Sequence, residues 1–152
     1  MQFHLIITQT ENGSISKFMQ KLATGYAMYY NQKYKRSGSL FEGKFKSEHV
    51  NSGRYLKYLF SYIHLNPIKL IQKDWKEKGI KSKKEAIKFL KDYKYSSYLD
   101  FVGEKRIQNK ILDLRGFPNY FPNKNYFNRE IFDWINYKTS WGKTSRLDLV
   151  II

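Results

Sequence analysis

The 152-residue chain contains no cysteine, and this absence removes several classes of protein. Disulfide-stapled domains, enzymes with a catalytic thiolate and zinc fingers built on cysteine are all excluded. The absence also fits a reducing compartment, so we expect a cytoplasmic protein. No apolar run approaches the roughly 20 residues that a membrane-spanning helix needs, and no basic region leads into an apolar stretch at the start. We therefore expect no membrane partner.

Acidic residues are scarce as well. Thirteen Asp and Glu stand against 28 Lys and Arg, which gives a formal net charge of +15 and a pI of about 9.8. Hydrophobic residues make up 41% and aromatic residues 18% of the chain, too many for a disordered basic tail. The sequence thus predicts one folded domain, or one domain with an appendage, whose natural partner is a polyanion.

The first half of the chain predicts strands on both sides of a helix. Phe3, Leu5 and Ile7 alternate with polar residues, which indicates a half-buried strand. Ser14 is a good N-cap, and apolar residues at helical spacing predict a helix over about 15–34. Alternation in 44–50 predicts a second strand or an extended hairpin.

Three local signals predict further helices. Ser52 is expected to cap a helix that Pro67 ends near Asn66. A capping box from Ser82 to Glu85 starts a short helix, and 95–101 resembles one capped helical turn. We place a boundary near Gly103, so that a main domain covers 1–103 and a partly helical C-terminal extension covers 104–152. In this extension, Asn128 is a candidate cap.

Two residue pairs have spacings that suit a chemical site. Gln2 and His4 are separated by one strand residue and so point to the same side, as two ligands of one metal ion would. Tyr62 and Asn66 are four apart on a helix and share a face, where the phenol could be a nucleophile and the amide a ligand. For each pair taken alone, a structural role is the better interpretation: a strand end with a stray histidine, and a packed aromatic before a helix terminus.

The other candidate chemistries find less support. His64 lies about 200° around the helix from Tyr62, given 3.6 residues per turn, so it is expected to face away from that tyrosine. His49 and His64 are expected to be surface or packing residues. The histidine spacing fits no zinc pattern, and the glycine-rich loops that cradle nucleotide phosphates are absent.

Several motifs together carry a family resemblance. They occur in order between Phe3 and Phe101 and read Phe3-His4-Leu5-Ile6-Ile7, Arg36-Ser37-Gly38-Ser39-Leu40-Phe41-Glu42-Gly43-Lys44-Phe45-Lys46, Tyr62-Ile63-His64-Leu65-Asn66-Pro67 and Tyr95-Ser96-Ser97-Tyr98. Through these motifs and their order the chain resembles the single-tyrosine HUH transposases, in particular the REP-associated tyrosine transposases and their insertion-sequence relatives.

The resemblance implies a fold, an activity and a set of site residues. The fold would be a ferredoxin-like α+β fold of the HUH endonuclease type, an antiparallel sheet with packed helices. The activity would be cleavage and rejoining of single-stranded or hairpin DNA in transposition, with Tyr62 forming a 5′-phosphotyrosine. By position, His4 resembles the second histidine of the family's pair and Asn66 its third metal ligand, for Mg²⁺ or Mn²⁺.

The chain departs from the family pattern at two points. Gln2 stands where the family has its first histidine, and an uncharged amide should hold the metal more weakly. The family also has a strand, a helix and a strand before the histidine strand, whereas Met1 directly precedes it here. We expect either an N-terminally truncated chain or a sheet that a second protomer completes in a homodimer. Cleavage and rejoining of DNA through Tyr62 is the first functional hypothesis, and a catalytically inactive DNA-binding remnant is the alternative.

Basic and aromatic residues around the expected site would bind DNA. The cations that would hold phosphates are Lys33, Lys35, Arg36, Lys44, Lys46, Arg54 and Lys57. Tyr29, Tyr30, Tyr34 and Phe41 are candidates for base stacking. The alternative is that these aromatics belong to the core and that the lysines only solubilise the surface.

Overall fold

The computed structural model describes residues 4–113 and 119–136. Within them the chain forms helices joined by irregular segments, of which the one between the first two helices covers residues 34–52. The α-helices are α1 (Ser14–Lys33), α2 (Gly53–Leu65), α3 (Trp75–Lys78), α4 (Lys83–Asp92), α5 (Tyr98–Phe101) and α6 (Lys124–Asn136), and short 3₁₀ helices cover Asn66–Leu70 and Ile107–Ile111.

The described residues belong to two compact units. The first, residues 4–49, contains α1 and the loop that follows it. The second begins at Val50 and contains all the other helices. In the second unit, α6 packs on α2, so residues beyond 104 contribute to the same core as the helix that carries Tyr62.

The predicted helix over 15–34 is confirmed to within one residue at each end. It begins after Gly13, whose φ of 75° is in the left-handed region that glycine adopts without strain. At its C-terminus the Lys35 N–H donates to the carbonyl of Gln32 and the Arg36 N–H donates to that of Asn31. These two bonds form a Schellman motif, which satisfies carbonyls left open by the helix end.

The predicted limits of α2 are also confirmed. The Ser52 hydroxyl accepts a hydrogen bond from the Tyr55 N–H at 3.3 Å, as an N-cap does. The α-helix ends at Leu65, and the chain continues as a 3₁₀ helix with Pro67 in its first turn. Proline ends the α-helix there because its ring excludes the preceding turn and it has no N–H to donate.

Side chains cap two of the later helices. Ser82 accepts from the Glu85 N–H at 3.4 Å, so the predicted start of α4 is confirmed. The predicted cap at Asn128 is wrong, because α6 begins four residues earlier, at Lys124. Asn123 has that role: its side-chain oxygen accepts from the Asn125 N–H at 3.0 Å and from the Tyr126 N–H at 3.4 Å.

The predicted ferredoxin-like α+β fold is wrong. Residues 4–113 and 119–136 contain no strand, and neither 4–9 nor 44–52 has regular secondary structure. Phe3, where the first predicted strand begins, lies outside the described residues. Alternating apolar residues favour a half-buried extended segment, but a strand forms only when a neighbouring segment pairs with its backbone. Because the described residues form no sheet, the expectation of a truncated sheet is also wrong.

An aromatic cluster forms the centre of the second unit. The ring of Phe60 on α2 lies 4.7 Å from that of Phe101 and 4.8 Å from that of Phe121, between centroids. Phe127 on α6 is fully buried beside them, 5.3 Å from His64. Aromatic pairs at such distances contribute about 0.5–1.5 kcal/mol beyond the area that they bury, so this cluster holds α2, α5 and α6 together.

None of the helices in the described ranges is long and apolar enough to cross a membrane.

Candidate nucleic-acid interface and the Tyr62 site

Tyr62 and Asn66 lie one helical turn apart, as their spacing predicts. Tyr62 is in the last turn of α2, and the Asn66 N–H donates to the Tyr62 carbonyl. The side chain of Tyr62 is only 8% exposed. Its ring stacks on that of Trp75, with centroids 6.5 Å apart. The phenol therefore lies against the core of the second unit and not on an open surface.

Lys76 is a polar neighbour of the phenol. Its Nζ donates a hydrogen bond to the Tyr62 hydroxyl and lies 4.2 Å from the centroid of the same ring. An ammonium over an aromatic face is attracted by the ring's quadrupole, and more strongly when it is partly removed from water. The contact thus holds the tyrosine in one position.

Burial shifts the proton affinities of both partners. It raises the pKa of the Tyr62 phenol, and the nearby Lys69 charge lowers it by a smaller amount. Burial lowers the pKa of Lys76. Both shifts favour the uncharged form. At neutral pH the phenol is therefore protonated, and an attack on phosphorus would need a group that accepts its proton.

The predicted metal ligands are described only in part. Gln2 lies outside the described residues, His4 belongs to the first unit, and Tyr62 and Asn66 belong to the second. A common site for these four residues therefore stays a prediction. Within 4–113 and 119–136, no group of three His, Cys, Asp or Glu residues is arranged to hold a metal.

The described surroundings of the phenol do not fit a divalent cation. Asn66 offers an uncharged amide, whereas Mg²⁺ favours sites with one or two carboxylates. Lys76 contacts the phenol, and the charge of Lys69 acts on it. Both are positive and would repel a metal ion.

His64 is a core residue, so of the two roles expected for it, surface or packing, the structure supports packing. It is 2% exposed, and its Nδ1 lies 2.7 Å from the Phe60 carbonyl. A carbonyl only accepts, so Nδ1 carries the proton and Nε2 accepts from the Ser97 hydroxyl at 2.8 Å. This bond joins two of the motifs in the family resemblance and gives both a structural purpose.

The C-terminal half of α1 carries a surface of tyrosine rings. We name Tyr26, Tyr29, Tyr30 and Tyr34 the tyrosine patch; their spacing of three and four residues places them on one helix face. Tyr26 is 49% exposed, and Tyr29 and Tyr34 are each 56% exposed. The rings of Tyr30 and Tyr34 approach to 4.5 Å between centroids. Three of the four rings thus present large areas to solvent.

Two cations lie among these rings. The Lys33 ammonium donates to the Tyr29 hydroxyl at 3.2 Å, which raises the pKa of the lysine, and lies 5.6 Å from the Tyr34 ring centroid. The Arg36 guanidinium lies 5.7 Å from the centroid of Tyr30. Cations and exposed rings alternate here within a few ångströms.

Backbone and side-chain bonds hold the loop after α1. Lys35 has a φ of 48°, a left-handed conformation that residues other than glycine seldom adopt. The Asn31 side chain donates to the Gly38 carbonyl at 2.9 Å and thereby ties the loop back to the helix. The position of Arg36 beside the tyrosine patch follows from this fixed helix end.

The remaining predicted DNA contacts are distributed over both units. Lys44 and Lys46 are exposed in the first unit, and Arg54 is exposed at the start of α2. Lys57 lies 2.7 Å from the Glu130 carboxylate, so part of its charge is neutralised within the second unit. Lys35 is also exposed in the first unit. A role for these five in DNA binding stays a prediction.

Sequence reasoning missed Lys76 altogether. It is one of many lysines after Pro67, fourteen residues from Tyr62, and no periodicity links the two. Only the 3₁₀ turn and the short helix α3 bring the amine to the phenol.

Comparison with known proteins adds no assignment. No protein-family model matches the chain, and no curated protein or solved structure matches it either. The resemblance to the single-tyrosine HUH transposases therefore stays a prediction from its motifs.

Proposed function

We propose that this chain binds single-stranded DNA, as an unpaired segment or in a hairpin, through the tyrosine patch with Lys33 and Arg36. The observation that carries the proposal is the exposure of Tyr26, Tyr29 and Tyr34 on one face of α1. Rings that were part of a core would be covered, whereas rings that stack bases must be open. Base stacking on aromatic side chains contributes about 1–3 kcal/mol per base.

The cations complete the chemistry that such a ligand requires. Lys33 uses one of its three N–H donors on Tyr29 and keeps the others for phosphate oxygens. Arg36 offers a planar group that can contact both a ring and a phosphate. The net charge of +15 attracts any polyanion, but only unpaired bases present faces that the tyrosines can stack on. The proposal therefore specifies single strands.

The direct test is fluorescence anisotropy with a labelled oligothymidine. We expect Tyr29→Ser to weaken binding by about 5- to 150-fold, which corresponds to one lost stacking contact of 1–3 kcal/mol. Tyr126→Ser is the matched control, because Tyr126 on α6 is also 56% exposed. The proposal fails if both variants bind as the parent does, or if duplex DNA binds as tightly as the single strand.

Salt dependence separates the cations from the rings. Each phosphate neutralised on a single strand adds about 0.7 to the slope of log affinity against log salt. We expect Lys33→Gln to lower this slope by about that amount, whereas Tyr29→Ser should leave the slope unchanged. An unchanged slope in Lys33→Gln would remove this lysine from the interface.

Strand cleavage through Tyr62 is a second candidate function, and the Lys76 contact favours it. The phenolic oxygen would attack phosphorus, the bond from phosphorus to the 3′ oxygen would break, and the 3′ oxygen would take a proton from water. The phenolic proton would pass to the neutral form of the Lys76 amine, which the lowered pKa of Lys76 favours. The low exposure of Tyr62 is the reason that we place binding first.

A covalent-adduct assay decides this second function. A labelled hairpin oligonucleotide, tested with and without Mg²⁺ or Mn²⁺, should give an adduct on a denaturing gel that Tyr62→Phe abolishes. Lys76→Gln should slow its formation, and Gln2→His should increase it if the predicted ligand set forms. If the folded parent protein binds the hairpin but forms no adduct, strand cleavage through Tyr62 is rejected and the hypothesis of an inactive DNA-binding remnant is the one that is left.

A further inference from the structure

A groove in the second unit has a mainly aliphatic floor. It lies between α4, α5 and α6 and has a volume of about 910 Å³. Its apolar lining is formed by Ile87, Tyr98, Leu99, Val102, Ile131, Phe132 and Ile135. Ile131 and Ile135 are buried, while Phe132 is 52% exposed and forms part of the wall. Its lining does not include Tyr62, Lys76 or any residue of α1.

Cations surround this floor. Lys91, Lys105, Lys124 and Arg129 line the groove together with a single carboxylate, Glu104. None of these four cations forms an ion pair with another residue of the described ranges. Arg106 also lines the groove, but its guanidinium is bound to Asp100. The groove therefore combines an apolar floor with a rim that carries an excess of positive charge.

We propose that this groove is the docking site for an acidic amphipathic helix of another protein. A helix that lies in a groove inserts apolar side chains at positions i, i+3 or i+4, and i+7, and leaves its other face at the rim. Leucine-like anchors fit a floor of isoleucine, leucine and valine. Acidic residues beside those anchors would meet Lys91, Lys105, Lys124 and Arg129, so the partner's charge is complementary to the rim.

Charge distinguishes this occupant from the alternatives. A second copy of the chain would bring another net charge of +15 and only 13 acidic residues, so its approach would be repelled. A single-stranded nucleic acid has the right charge, but its bases prefer aromatic faces, and the floor is mainly aliphatic. An acidic amphipathic helix is complementary both to the apolar floor and to the positive charge of the rim.

A synthetic peptide provides the test. The probe is a fluorescein-labelled helical peptide with leucines along one face and glutamates along the other, and its control is a scrambled peptide of identical composition. We expect the amphipathic peptide to bind about tenfold more tightly, which corresponds to about 1.4 kcal/mol. Phe132→Ser and Arg129→Gln should each remove most of this difference. Tyr126→Ser and Lys84→Gln, which change exposed residues outside the groove, should retain it.

Three results would overturn the proposal. Equal binding of the scrambled peptide would reduce the effect to nonspecific attraction between opposite charges. Oligothymidine binding that Phe132→Ser weakens would assign the groove to nucleic acid. Concentration-dependent association of the protein alone, abolished by Phe132→Ser in sedimentation velocity, would assign it to a second copy.

Discussion

Acidification from pH 7 to pH 5 should destabilise the second unit through His64. The imidazole is 2% exposed, and burial lowers its pKa to about 4, despite an opposing effect from its bond to the Phe60 carbonyl. In the unfolded chain its pKa returns to about 6.5. The unfolded state therefore binds the proton more tightly, so protonation favours unfolding in this pH range.

The size of the effect follows from these two pKa values. With a folded value of about 4 and an unfolded value of about 6.5, the free energy of unfolding should fall by about 2 kcal/mol between pH 7 and pH 5. The full contribution, about 3 kcal/mol, is present above pH 6.5 and is lost as the pH falls toward 4.

Urea unfolding at constant ionic strength, followed by tryptophan fluorescence, measures this loss. His64→Gln removes the titrating group and should be less stable at pH 7, but its stability should depend less on pH over this range. His49→Gln, at an exposed position, should keep the pH dependence of the parent. The reasoning is refuted if His64→Gln and the parent lose equal stability, or if the His64 ring resonances in the NMR spectrum titrate near pH 6.5.

Further outcomes follow from other contacts. Arg106→Leu should destabilise the second unit by about 3–5 kcal/mol in urea unfolding, because it leaves the carboxylate of Asp100, which is 2% exposed, without its partner. Lys35→Gly should raise the melting temperature and increase the free energy of unfolding by up to about 1 kcal/mol, because glycine tolerates the left-handed conformation of the Schellman position. A lower melting temperature would contradict this. Ser52→Ala should cost about 0.5–2 kcal/mol through the lost N-cap, and an unchanged urea midpoint would show that the cap is replaced. In an alkaline absorbance titration, the difference between the parent and Tyr62→Phe should appear above the ordinary tyrosine pKa of about 10, and a transition below that value would contradict the burial of the phenol.

Sequence signals that involve residues only a few positions apart predicted the helices well. Ser52 and Ser82 mark helix starts through bonds to backbone groups three residues later, and Pro67 marks an end through its own ring. These effects depend on local covalent structure and need no knowledge of the rest of the fold. The same holds for the spacing that places Asn66 one turn after Tyr62.

The errors concern interactions between distant residues. Alternation at Leu5 and Ile7 describes one segment, whereas a strand requires a partner elsewhere in the chain. Helical spacing likewise identifies the apolar residues of α1 but does not reveal what covers them: Phe18 and Leu22 are 48% and 38% exposed. The Lys76 amine could not be paired with Tyr62 for the same reason.

The bonds of Arg106 have a consequence for proteolysis. Its guanidinium donates to the carbonyls of Lys94 and Ser96 as well as to Asp100, and so closes the segment between residues 94 and 106. Trypsin must draw the arginine side chain into its specificity pocket before it cleaves there, which requires all these bonds to break. Cleavage after Arg106 should therefore follow the opening of this segment.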